Sequence, residues 1–217
     1  MLYNDSNNWQ DFIKHVLTWE GGASRNPQDT ASACVPVGQI HTIKGVTYCT
    51  FKDRADKIGI SPVTYQRFLN LTDEDASKFL YTYYKNVKGE NFSDSLALAL
   101  SEAGWMSGTD RAYKHLYDAL KNLGQDAKNK AEAVEKAKLL PEKVLFDEFI
   151  KMRRAYLNFL ASSPKYAPFK NGWNNRLKNF YDKFNPDAIG GKKKLTAGVL
   201  LLLTFSIGYL IFKKWGN

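Results

Sequence analysis

Trp9, Phe12, Ile13, Val16 and Leu17 recur at steps of three and four residues among polar neighbours. That is the period of a helix burying one face. The run closes on Trp19-Glu20-Gly21-Gly22, where glycine supplies the left-handed residue that stops a helix. Further segments follow the same pattern. "SPVTYQRFLN" opens with Ser61 as N-cap and Pro62 at the first helical position. "TDEDASKFLYTYYKNV" starts at Thr72, with Asp75 three residues on in a capping box. "SDSLALALSEAGWM" and "TDRAYKHLYDALKNLG" come next, the second ending at Gly124. The Lys/Glu-rich stretch 126–143 predicts a solvated face and leads past Pro141 into two long helical segments, "PEKVLFDEFIKMRRAYLNFLASS" and "GWNNRLKNFYDKF". Residues 33–51, with β-branched side chains and glycine punctuation, are the one stretch that reads as strands. The expected class is mainly α, an α+β domain with a small β-wing.

The C-terminus has another character. Leu195 to Phe212 are 18 uncharged, mostly apolar residues between lysines, with Tyr209 and Trp215 placed as interfacial anchors. As a helix they span roughly 27 Å, enough for a bilayer core. The sequence therefore predicts one C-terminal transmembrane helix over 195–212, behind a linker at 186–194. The N-terminal "MLYNDSNNWQDF" is polar and acidic, unlike a signal peptide.

Charge adds little. The net charge of +9 includes five lysines in residues 192–217, which leaves 26 basic against 22 acidic side chains, +4, in the rest. That mild excess suits a cell wall or lipid headgroups and is too diffuse for nucleic acid. His15, His41 and His115 share no spacing with acidic or cysteine ligands, so neither a metal nor a cofactor is expected. Cys34 and Cys49 flank the suspected wing; a bridge and free thiols are both open readings.

The residue that asks for an explanation is Glu20. A carboxylate at a helix C-terminus faces the negative end of the macrodipole. With Trp19 and apolar groups beside it, its charged form should be disfavoured twice. Such a group suits a general acid near neutral pH. Glycoside hydrolysis pairs that acid with a second, more polar carboxylate, and Asp29 follows in the turn-like "NPQD".

The blocks "HVLTWEGG", "NPQD", "HTIKGVTYCTF", "YTYYKNV" and "LSEAGWMSGTDRAYKHL", in that order, resemble glycoside hydrolase family 108. The closing "RRAYLNFLASSPKYAPFKNGWNNRL" is similar to the predicted peptidoglycan-binding segment that follows in such proteins. The resemblance implies a lysozyme-like fold, a muramidase domain over 1–125 and a helical peptidoglycan-binding-like segment over 126–185 packed on it. It implies Glu20 as general acid and, by similarity to phage-type lysozymes, Asp29 and Thr42 as its partners. Twelve residues separate Asp29 from Thr42, more than the family pattern has, so Thr47 competes with Thr42 for the catalytic position. Glu102 and Met106 stand where the family usually has Asp and Asn. Expected substrate contacts are Thr47, Tyr48, His41, Tyr84 and Trp105, although His41 also reads as a surface residue, and Trp105 and Trp173 as core.

The function so implied is cleavage of the β-1,4 bond between N-acetylmuramic acid and N-acetylglucosamine in peptidoglycan. Two alternatives stand: a lytic transglycosylase acting on the same bond, and an inactive, membrane-anchored structural or wall-binding protein. Expected partners are peptidoglycan, a bilayer through 195–212 and virion capsid proteins. The expected location is the internal membrane of a lipid-containing phage virion, with the host inner membrane as the alternative.

Overall fold

The computed structural model describes residues 7–27 and 29–190. The expected transmembrane helix at 195–212 lies outside the described residues. Among those that are described, no helix is long and apolar enough to cross a membrane.

Helix α1 (Asn7–Trp19) ends where the glycine signal places it, with Gly21 at φ 58° and the Glu20 N–H still bonded to Val16 O at 3.1 Å. Three two-residue strands follow, β1 (Ala23–Ser24), β2 (Thr42–Ile43) and β3 (Val46–Thr47), antiparallel in the order β1-β2-β3. The strand content expected across 33–51 is mostly absent. Residues 30–34 form a 3₁₀ turn capped by Asp29, and Tyr48–Arg54 is helix α2, capped by Thr47 Oγ1, which accepts from the Thr50 N–H. The β-branched residues serve the hairpin and then a helix cap, and β1 lies ahead of the expected stretch. Lys44 and Gly45 both take positive φ, 51° and 77°. That is the two-residue turn whose twist matches a tight hairpin.

Helix α3 (Tyr65–Leu69) starts later than Ser61-Pro62 predicts, because Thr64 Oγ1 accepts from the Arg67 N–H and makes the cap. Helix α4 (Asp73–Asn86) has the predicted capping box of Thr72 and Asp75. Helices α5 (Asp94–Ser107), α6 (Thr109–Asn122), α7 (Lys130–Lys138), α8 (Glu142–Leu160) and α9 (Lys170–Phe184) complete the chain. Residues 186–190, expected as linker, are helical. Asn185 Oδ1 accepts from the N–H groups of Asp187 and Ala188, and buried Ile189 holds the turn against the core.

Two apolar clusters organise these elements. The larger joins α1, α4, α5, α6, α8 and α9 around Phe12, Leu100, Leu116, Phe149 and Phe180. It crosses the expected boundary at 125/126, so the C-terminal helices share one core with the rest. The smaller sits under the hairpin and joins Ile43, Val46, Phe51, Phe68 and Phe79. Trp105 packs against both. The seam between the two clusters is therefore where Glu20 emerges.

Candidate active site

Glu20 follows the last residue of α1 with its side chain 17% exposed. Its Oε1 accepts from Trp105 Nε1 at 2.7 Å and from Arg176 Nη1 at 2.7 Å. The apolar packing beside Trp19 expected from sequence is thus replaced by two polar donors. The indole at Glu20 is that of Trp105, whereas Trp19 is 36% exposed and lies toward His15. The second oxygen, Oε2, faces the hairpin. A Cβ built on Gly45 would stand 2.6 Å from Oε2 and 2.7 Å from Trp105 Cζ2. Only a residue without a side chain lets the turn come this close. Lys44, beside it, is ion-paired with Asp73 at the start of α4, which ties the hairpin tip down.

Arg176 carries a second bond, from Nε to Glu102 Oε1 at 2.7 Å. Glu102 is fully buried, and its other oxygen is paired with Arg153 Nη1. Burial alone would raise the Glu102 pKa, but the Arg153 and Arg176 guanidiniums hold it at about 2. Arg153 Nη2 also donates to Met106 Sδ at 3.0 Å. Glu102 and Met106 thus lie one turn apart on α5 and face the same arginine. Burial opposes the charge on Arg176, but Glu102 and Glu20 outweigh it and raise its pKa. With Glu20 ionised, two carboxylates meet two guanidiniums and the cluster is neutral.

The remaining predicted residues divide. Asp29 is exposed, and its Oδ1 accepts from the Ala31 N–H at 2.9 Å. Thr42 and Thr47 are cross-strand partners, opposite in face to the buried Ile43 and Val46, so register sets both candidates side by side. Thr42 Oγ1 is 2.8 Å from His41 Nδ1, and His41 Nε2 is 3.1 Å from Asn26 O. His41 is no surface residue: it is fully buried, with Thr42 and Asn26 against its two ring nitrogens. Tyr48 packs among Phe51, Tyr65 and Phe68 as part of the smaller cluster. Tyr84 stacks on Tyr81 and meets Trp9 edge-on, near the opposite end of α1 from Glu20. Tyr83 is the tyrosine that touches the site, with its ring 5.4 Å from that of Trp105. Trp173 stacks on half-exposed Phe169 at 5.7 Å. Cys34 and Cys49 form a disulfide with Cα atoms 5.4 Å apart, which closes the loop that carries the hairpin. Among the described residues, no group of three or more His, Cys, Asp or Glu could hold a metal.

A groove of about 780 Å³ lies behind the hairpin, lined by Ile13, Leu17, Lys44, Asp73 and Glu74 among others. Glu20, Asp29 and Thr42 are not part of its lining. Their neighbours Gly21 and Lys44 do line it.

No curated protein matches the chain. The fold is similar to that in the structure of Brucella abortus SagA, with a TM-score of 0.61 over 83% of this chain and 97% of that one, at 20% identity. Identity that low speaks for the fold alone. Residues 13–108, which carry Glu20, Asp29, Thr42, Thr47 and Trp105, match the family model for glycosyl hydrolase 108, while Arg153 and Arg176 lie beyond the match.

Proposed function

We propose that the protein is a peptidoglycan hydrolase that cleaves the β-1,4 bond between N-acetylmuramic acid and N-acetylglucosamine, with Glu20 as general acid. The observation that carries this reading is the carboxylate of Glu20, a residue of the stretch that matches a glycosyl hydrolase model, held at the seam of the two apolar clusters by Trp105 and Arg176. In the reaction Glu20 gives its proton to the glycosidic oxygen. The bond from that oxygen to the anomeric carbon breaks, and its electron pair stays on the leaving oxygen. Water adds to the anomeric carbon, and its proton passes to a second carboxylate. Asp29 is proposed for that role: it is exposed on the loop before the hairpin, while Thr42, fixed by His41, contacts the sugar.

Asp29→Asn tests the assignment with little disturbance, because an asparagine oxygen keeps the bond to the Ala31 N–H. The rate should fall on the order of 10²-fold or more, and mass spectrometry of wild-type digests should show reducing-end muropeptides. Products ending in 1,6-anhydro-muramic acid would instead establish a lytic transglycosylase. The apolar stretch 195–212 supports attachment of this domain to a membrane; partition of the full chain into detergent, lost on truncation after Gly190, tests that part.

A further inference from the structure

We infer that Arg176 is a positioning residue for Glu20. It holds Oε1 so that Oε2 is the oxygen that carries and delivers the proton, which makes α9 part of the catalytic unit. This inference rests on the hydrolase reading. Oε1 takes two donors, Trp105 Nε1 and Arg176 Nη1, each at 2.7 Å. Neither bond reaches Oε2, which abuts the Gly45 backbone at the hairpin.

The arginine is itself held fast. Its side chain is 7% exposed, and Nε is bonded to Glu102, which Arg153 of α8 holds from the other side. A guanidinium is a rigid planar fork, so engaging two carboxylates through Nε and Nη1 fixes one relative to the other. Glu102 comes from α5, Arg153 from α8 and Arg176 from α9. The orientation of Glu20 is therefore set by three helices, two of them outside residues 13–108.

The chemistry follows. When the proton on Oε2 moves to the glycosidic oxygen and the carbon–oxygen bond breaks, Glu20 is left as a carboxylate. The counter-charge is already in contact with it, so no dipole has to reorganise as the charge develops. The four side chains Glu20, Glu102, Arg153 and Arg176 then sum to zero.

The test uses the full chain with Arg176→Lys and Arg176→Gln, and two readouts. The first is turnover of soluble, uncrosslinked peptidoglycan strands. Lysine keeps the charge but cannot fork, so kcat should fall about tenfold for Lys and on the order of 10²-fold for Gln. KM should stay within about twofold, since the interaction acts on the reacting group and not on sugar binding. The second readout needs no substrate: the indole N–H resonance of Trp105, assigned with Trp105→Phe. Release of Glu20 from the fork should move it in both variants. If the Gln variant does not fold, the Lys variant decides. A folded variant with wild-type kcat, one in which only KM rises, or an unmoved Trp105 resonance would each overturn the inference. An inactive wild-type chain would sink the hydrolase reading instead, and the resonance would then decide the positioning claim alone.

Discussion

Arg176 Nε lies 2.7 Å from Glu102 Oε1, and both side chains are buried, 74 residues apart in the chain. Arg153 completes the group from α8. Such a cluster gives little net stability when intact, because desolvation offsets most of the attraction, but breaking it leaves charge buried and unpaired. Glu102→Gln, which keeps size and removes charge, should cost on the order of 3–5 kcal/mol in chemical denaturation. A cost below about 1 kcal/mol would place the cluster in the class of solvent-screened surface pairs.

Gly45 predicts a loss of a different kind. An alanine methyl there would stand 2.6 Å from Glu20 Oε2, at a φ of 77° that side chains rarely adopt. Gly45→Ala should lower activity on the order of 10²-fold by displacing Glu20 and Trp105. The backbone strain itself should cost only about 1–3 kcal/mol. Thermal unfolding measured beside turnover separates the two; full activity would mean that the hairpin tip moves freely against Glu20.

The histidines make stability depend on pH. Burial pushes the pKa of His15 and of His115 down from 6.5 to about 4, with Arg176 and Lys183 adding to the effect at His15 and Arg153 and Arg111 at His115. Between those values the unfolded chain binds protons that the folded chain refuses. Stability is therefore fully present above pH 6.5 and is lost as pH falls toward 4, by roughly 3 kcal/mol per histidine. Glu102 acts lower, since its stabilisation is lost as pH falls from 4.5 toward 2. Melting temperature followed from pH 8 to pH 4 should fall, and His115→Gln should flatten part of that slope. A flat profile in the wild type would mean that both rings are solvated.

What the chain shows locally, the sequence predicts well. The apolar period of α1, its glycine stop after Glu20, the capping box at Thr72 and the bounds of α8 and α9 follow from short-range chemistry. The misses are of two kinds. In some, neighbouring signals compete: Ser61-Pro62 outweighs Thr64 on paper, and β-branched residues at 42–50 read as strand although Thr47 caps a helix. In others the signal is not local at all. Arg176 reaches Glu20 across 156 residues, and nothing in "GWNNRL" says which carboxylate it meets. Tyr83 and Tyr84 differ by one position on α4, about 100° of rotation, and that alone decides which of them touches Trp105.

The most direct measurement is clearing of a purified peptidoglycan suspension by the wild-type chain and by Glu20→Gln. Glutamine keeps the size of the side chain and an oxygen that can accept from Trp105 and Arg176, but it has no acid proton to give. The wild type should clear the suspension and the variant should lose activity on the order of 10²-fold or more, with both chains folded. A folded Glu20→Gln variant that clears the wall at the wild-type rate would contradict the assignment of Glu20 as general acid.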